Sequence, residues 1–149
     1  LPPLWHWIFF LEMAQHRALS SDGHPRKGGF LPPIELPRRM WAGSRLTFHK
    51  PLQIGDRASK TSTIKSIQFK DGRSGSLAFV CVNHEVSGSD GLSISEEQDI
   101  VYRDNPPLPV GKPQATPAPA QNDYAFSVNP DPVLLFRYSA LTLNSHRIH

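Results

Sequence analysis

Cysteine is almost missing from this 149-residue chain: Cys81 stands alone, so neither a disulfide framework nor a cysteine-rich metal site can be built, and a reducing compartment fits best. Long hydrophobic runs are missing as well. The longest, Leu4 to Leu11, is interrupted by His6 and falls far short of the roughly 20 residues a membrane span needs. Charge of one sign is scarce, with 16 lysines and arginines against 13 acids. That surplus, with no basic stripe interleaved with aromatics, argues against nucleic acid and suits at most an anion site such as a phosphorylated ligand. Gly28-Gly29 follows no strand-like segment, which excludes a dinucleotide or P-loop fingerprint. The opening Leu1-Pro2-Pro3 lacks Met and a basic leader, so a piece of a longer chain is expected, and the stop at His149 gives the same expectation.

What the chain has is proline, 15 in all, and enough apolar residues, 38%, to bury a core. Pro2 and Pro3 suit a helix start, and Leu4 to Leu19 is predicted to be a helix. Leu4, Ile8, Leu11, Met13, Ala14 and Ala18, with Trp5, Trp7, Phe9 and Phe10, make its first half apolar nearly all round. From Trp41 on the pattern changes to strands: Arg45–Lys50, Ala58–Lys70, Leu77–Val86 and Leu92–Tyr102. Asp71-Gly72 is the predicted hairpin turn of the middle pair. A buried helix followed by a strand meander indicates an α+β domain. Residues 105–122 hold six prolines between Pro106 and Pro119 and read as a semi-rigid linker. The 27 residues after it are too few for a second domain of their own.

Chemistry-bearing residues concentrate at the end. A helical turn or tight loop would bring Asn144 close to His149. Histidine exchanges protons near neutral pH, and an amide orients a water without taking its proton. His146 and His149 find no third ligand at a suitable spacing, so no metal is expected. Loop histidines with no role are the plain alternative. Trp5-His6-Trp7 reads as core packing rather than a stacking platform, Cys81 as a small hydrophobe between strands, and His84 as facing solvent or the sheet edge. Arg38, Arg39, Arg45, Lys50 and Arg57 would suit phosphate contacts, or simply a solvated surface.

The segment Phe136-Arg-Tyr-Ser-Ala-Leu-Thr-Leu-Asn-Ser-His-Arg-Ile-His149 resembles the MaoC-like acyl-thioester dehydratases, in particular their mesaconyl-C4-CoA hydratase and mitochondrial-type 3-hydroxyacyl-thioester dehydratase groups. Leu1–Trp7, Gly28–Pro33, Leu36–Gly43 and His49–Asp56 are similar to the same groups. The resemblance implies a double hotdog, each half an antiparallel sheet wrapped around a central helix. Residues 1–104 would be the N-terminal hotdog without its first strand, 105–122 the linker, and 123–149 the start of the catalytic hotdog. The helix Leu4–Leu19 would be the central helix of the first half.

It implies a hydro-lyase acting across the 2,3 double bond of an enoyl-CoA. The family motif Asp-x-Asn-Pro-x-His, aligned on His149, puts Asn144 at the acid's position, His146 at the asparagine's and Thr142 at the serine's. His149 then handles the proton while Asn144 and Thr142 position water, or a carboxylate beyond residue 149 supplies the acid, because an amide cannot take up a proton. Arg147, His146, Arg38 and Arg39 are the substrate-binding candidates. The resemblance further implies an acyl-CoA substrate, no cofactor, no metal, no nucleic acid or membrane, a full-length homodimer, and a cytoplasmic or mitochondrial-matrix location. The 149-residue piece alone is expected to be inactive. A binding module without turnover and a thioesterase compete with this reading; for the latter, Glu12 falls on the wrong, later part of the predicted helix.

Overall fold

The computed structural model describes residues 1–72, 75–105, 117 and 121–146. Its frame is an antiparallel sheet of four strands, β1 (Arg38–Phe48), β2 (Ser59–Gly72), β3 (Gly75–Gly88) and β4 (Gly91–Arg103), in the order β1-β4-β3-β2. The α+β class read from the sequence holds: among the described residues a four-stranded antiparallel sheet and one α-helix form, consistent with a hotdog sheet. All four predicted strands form. Period-two alternation explains them: Ala78, Val80, Val82 and Val86 of β3 are buried on one face, beside Ile94, Ile100 and Tyr102 of β4. Ile34, Ala78, Val80, Val82, Ile100 and Tyr102 form one core cluster; Leu52, Val86 and Ile94 form another. The outward face is polar, with Arg45 of β1 bonded to Glu97 and Asp99 of β4.

Two predictions about this sheet are corrected. Asp71 and Gly72 are ladder residues of β2, opposite Ser76 and Gly75 of β3, rather than the turn itself. The alternation also assigns His84 inward and Cys81 outward. His84 bonds Ser62 at 2.7 Å and Gln98 at 3.1 Å, while half-buried Cys81 lies beside Arg45 on the polar face.

The larger correction concerns Leu4–Leu19. No α-helix forms there; the segment has two single 3₁₀ turns, Trp5–Ile8 and His16–Ala18, joined by extended chain. A helix gains most of its stability from packing one apolar face, whereas the first half of this segment is apolar nearly all round and its second half carries Glu12, Gln15, His16 and Arg17. Its aromatic side chains instead seek separate partners on the sheet. Leu4 and Phe10, at φ 71° and 59°, bracket the first turn in left-handed conformations that a continuous helix excludes. Trp7 meets Trp41 edge-on at 5.1 Å, and His6 meets Phe48 edge-on at 6.3 Å.

The loop between this segment and β1 is tied over the first core cluster by Lys27, whose ammonium donates to the carbonyls of Ile34 and Leu36 and lies 5.7 Å from the Tyr102 ring. Beyond the sheet, α1 (Pro132–Leu141) begins where the sequence would start a helix, with Pro132 in its first turn and the Asp131 carboxylate accepting from the Leu134 N–H at 2.8 Å. Most of the predicted linker lies outside the described residues.

Candidate functional site

The C-terminus of α1 positions the motif residues. Thr142 caps it, its hydroxyl donating back to the Ser139 carbonyl at 3.3 Å. Leu143 takes φ 50°, a left-handed conformation that costs a residue with a Cβ roughly 1–2 kcal/mol. The reversal lets the Asn144 N–H reach the Ser139 carbonyl at 2.9 Å and throws residues 144–146 sideways. They land on the N-terminal loop. The Ser145 hydroxyl donates to the Gly23 carbonyl, and Gly23 has φ 91°. A Cβ there would sit 2.0 Å from the Ser145 carbonyl oxygen, so only glycine permits this approach.

Between the two segments lies a cleft of about 610 Å³, walled on one side by Glu12, Met13, His16 and Leu19 and on the other by Phe136, Ala140, Leu143, Asn144 and His146. That volume suits a small organic ligand, and the mixture of apolar walls with a few polar groups is typical of such sites. Of the predicted site residues, Asn144 and His146 are brought to this wall, and the His146 N–H faces Asn144 Oδ1 at 3.4 Å. Thr142 is turned back on its own helix. Arg39 reaches the neighbouring loop, donating to the Pro25 carbonyl at 3.3 Å, whereas Arg38 is exposed at the end of the sheet, opposite Arg103. His149 and Arg147 lie outside the described residues. Glu12, set aside when it was placed on a helix, lines the same cleft as Asn144.

Beside the cleft, Asp22, His24 and His146 gather. Burial raises the Asp22 pKa, but hydrogen bonds from Ser20 and the His24 N–H, with the charges of His24 and His146, outweigh it and hold the carboxyl below its ordinary value. Burial, joined by the charges of Arg39 and His146, pushes His24 below the usual histidine value despite the opposing pull of Asp22. Sequence spacing showed no third ligand near His146, because the fold supplies two from 122 and 124 residues away, a donor set that can hold a metal.

A second polar cluster was also missed. Glu96 of β4 is buried on the inward face, accepting from the Trp7 indole at 2.9 Å and the Ser44 hydroxyl at 2.6 Å, with His6 Nε2 at 3.5 Å. Burial raises its pKa, yet the nearby His6 imidazole, the hydrogen bonds from Ser44 and Trp7 and the charge of His84 bring it down to about 2. The alternation of Ile94, Glu96, Gln98, Ile100 and Tyr102 was the signal that could have found it. Trp5-His6-Trp7 is thus an anchor: His6 is buried and Trp7 is bonded, although Trp5 stays 55% exposed.

The family model for hydroxyacyl-thioester dehydratase type 2 matches residues 4–149. The chain is 54% identical over its whole length to "Mesaconyl-C(4)-CoA hydratase" of Chloroflexus aurantiacus, covering 53% of that protein. It is 27% identical, again over its whole length, to the mitochondrial "Hydroxyacyl-thioester dehydratase type 2" of Schizosaccharomyces pombe, covering 57% of it. The chain thus spans about half the length of the curated relatives it matches. Among solved structures, a chain of the ChsH1-ChsH2 complex from Mycobacterium tuberculosis aligns at 18% identity and TM-score 0.41, over 53% of this chain and 43% of that one. A family match running from the first aromatic turn to the terminal histidine motif places this chain in the hydroxyacyl-thioester dehydratase type 2 family.

Proposed function

We propose that the protein carrying this chain is a hydro-lyase that adds water reversibly across the 2,3 double bond of an enoyl-CoA, with a branched, dicarboxylic acyl group of the mesaconyl-C4 type as substrate. One observation carries this reading: 54% identity over the whole of this chain to a mesaconyl-C4-CoA hydratase, of which the chain covers 53%. The placement of Asn144 on the wall of a ligand-sized cleft supports it. Residues 1–104 are the first hotdog half, 105–122 the linker and 123–149 the start of the catalytic half. The working protein is a homodimer in the cytoplasm.

In hydration, His149 removes a proton from water as its oxygen bonds to C3 of the enoyl group. Asn144 holds that water, and Thr142 steadies the turn that presents Asn144. Negative charge develops on the thioester oxygen as the C2 carbon gains electron density, and backbone N–H donors stabilise it until C2 takes up the proton His149 removed from water, so that one water molecule is divided between C3 and C2. His146, Arg147, Arg38 and Arg39 supply cationic and hydrogen-bonding contacts for the free carboxylate and the phosphate-bearing arm. Glu12 adds a carboxylate to the cleft that Asn144 cannot replace as a proton donor.

Turnover of full-length protein in heavy-oxygen water tests the reaction class. A hydratase places the label in the 3-hydroxyl of a product that remains a thioester. Label in a released carboxylate would instead establish thioester hydrolysis and overturn the proposal.

A further inference from the structure

The loop at Ser20–His24 and the turn after α1 meet at a cluster to which the hydratase reading gives no work beyond His146. Asp22 Oδ1 is held by its own loop, accepting from the Ser20 hydroxyl and from the His24 N–H at 3.0 Å. Oδ2 is thereby turned toward two imidazoles, 3.6 Å from His24 Nδ1 and 3.9 Å from His146 Nε2. Among the described residues, His24 Nδ1 is buried without a hydrogen-bond partner. One donor atom from each of the three residues lies within 4.8 Å of the others, and the two rings are 4.6 Å apart between centroids.

We propose that Asp22, His24 and His146 form a binding site for one divalent transition-metal ion of the zinc class. Two imidazoles and a carboxylate are a characteristic zinc donor set, leaving a fourth position for water. With metal–donor distances near 2.1 Å, tetrahedral donors stand roughly 3.4 Å apart. The two carboxylate–imidazole separations, 3.6 and 3.9 Å, are longer than hydrogen bonds and need close by only a few tenths of an ångström, while the imidazole donors, within 4.8 Å of each other, would close by up to about 1.4 Å through rotation of the part-exposed rings.

The surroundings fix the donors as ligand-supporting contacts do. Asp22 Oδ1 is bonded inside the loop, the Ser20 N–H donates to the His24 carbonyl at 2.8 Å, and Leu19 pairs with Pro25 across the loop's base. Gly23 packed against Ser145 sets the distance between the two segments. Arg39 lies close enough to oppose a cation. A single carboxylate beside that charge disfavours Mg²⁺ and Ca²⁺, which need several oxygens, and leaves ions that seek imidazole nitrogen. The ion would clamp the motif-bearing turn onto the N-terminal loop.

Chelator-stripped full-length protein, titrated with Zn²⁺ against a chromophoric competitor, tests the site. The expected result is one tightly held equivalent, weakened at least about tenfold in His24→Ala, the least that losing even a ligand-supporting contact costs. Asp22→Asn keeps an oxygen acceptor for the loop and removes the charged donor, so it should weaken Zn²⁺ while leaving the metal-free unfolding transition in place. Zn²⁺ should raise the unfolding midpoint of the wild type and not of Asp22→Asn, and Mg²⁺ should raise neither. Absence of a stoichiometric equivalent, or equal Zn²⁺ affinity in the wild type and Asp22→Asn, would overturn the proposal.

Discussion

Glu96 is ionised in the folded chain because Trp7, Ser44 and His6 all converge on its carboxylate inside the sheet's inward face. Its folded pKa of about 2 lies below the ordinary 4.5. Stability from this group is therefore complete above pH 4.5 and drains away as pH falls toward 2, to a total of about 3 kcal/mol. Denaturant unfolding at pH 7 and pH 3 should differ by about 2 kcal/mol from this residue alone, and Glu96→Gln should flatten that part of the profile. Glu96→Ala, which strands buried His6 and the half-buried Trp7 and Ser44, should cost about 2–4 kcal/mol at pH 7. At the reacting end, His149→Ala should lower turnover of the full-length enzyme by roughly 10²–10⁴. Asn144→Asp separates two roles for that residue. If the amide only orients water, steady-state turnover is kept or raised, whereas a dead variant means that the neutral amide is required.

At the scale of elements, two turns concentrate the backbone's special demands. Leu143 occupies φ 50° at the end of α1, where glycine is the usual residue, so Leu143→Gly should not lower the thermal midpoint despite the lost side chain. Gly23→Ala should do the opposite, since φ 91° is unfavourable for alanine and its Cβ would overlap the Ser145 carbonyl. A fall in unfolding midpoint together with weaker Asn144-dependent turnover would mark the loss of that docking.

The strands were legible because alternation, Gly-Asp and Asp-Gly punctuation and β-branched residues agree on them. The helix expected over Leu4–Leu19 does not form; an apolar first half looks like a buried helix, while what decides its conformation is distant: Glu96 receiving Trp7, and Trp41 receiving its ring. The same distance hid the Asp22–His24–His146 cluster. His84 and Cys81 exchanged faces for a smaller reason, namely that nothing in Leu77–Val86 fixed which alternate set met the core until Tyr102 and Ile100 were seen beside Ala78 and Val80. Asn144 and His146 were legible through the motif, although their cleft partners Glu12 and His16 were not.

Across the whole molecule, apolar surface is distributed unevenly. Val133, Leu134, Leu135, Phe136, Tyr138 and Leu141 of α1 are all exposed, a patch beyond what a lone soluble unit ordinarily shows. A preparation of residues 1–149 should therefore self-associate, seen as concentration-dependent mass in sedimentation, and should lack hydratase turnover. Replacing Phe136 and Leu135 by polar residues should shift it toward monomer. Among the described residues no helix is long and apolar enough to cross a membrane. The central claim is hydration, and it is tested most directly by mixing full-length protein with mesaconyl-C4-CoA and following enoyl-thioester absorbance while assaying free thiol. The account predicts absorbance loss without thiol release, reduced in His149→Ala. No loss with this or any enoyl thioester, or loss matched by released thiol, would contradict it.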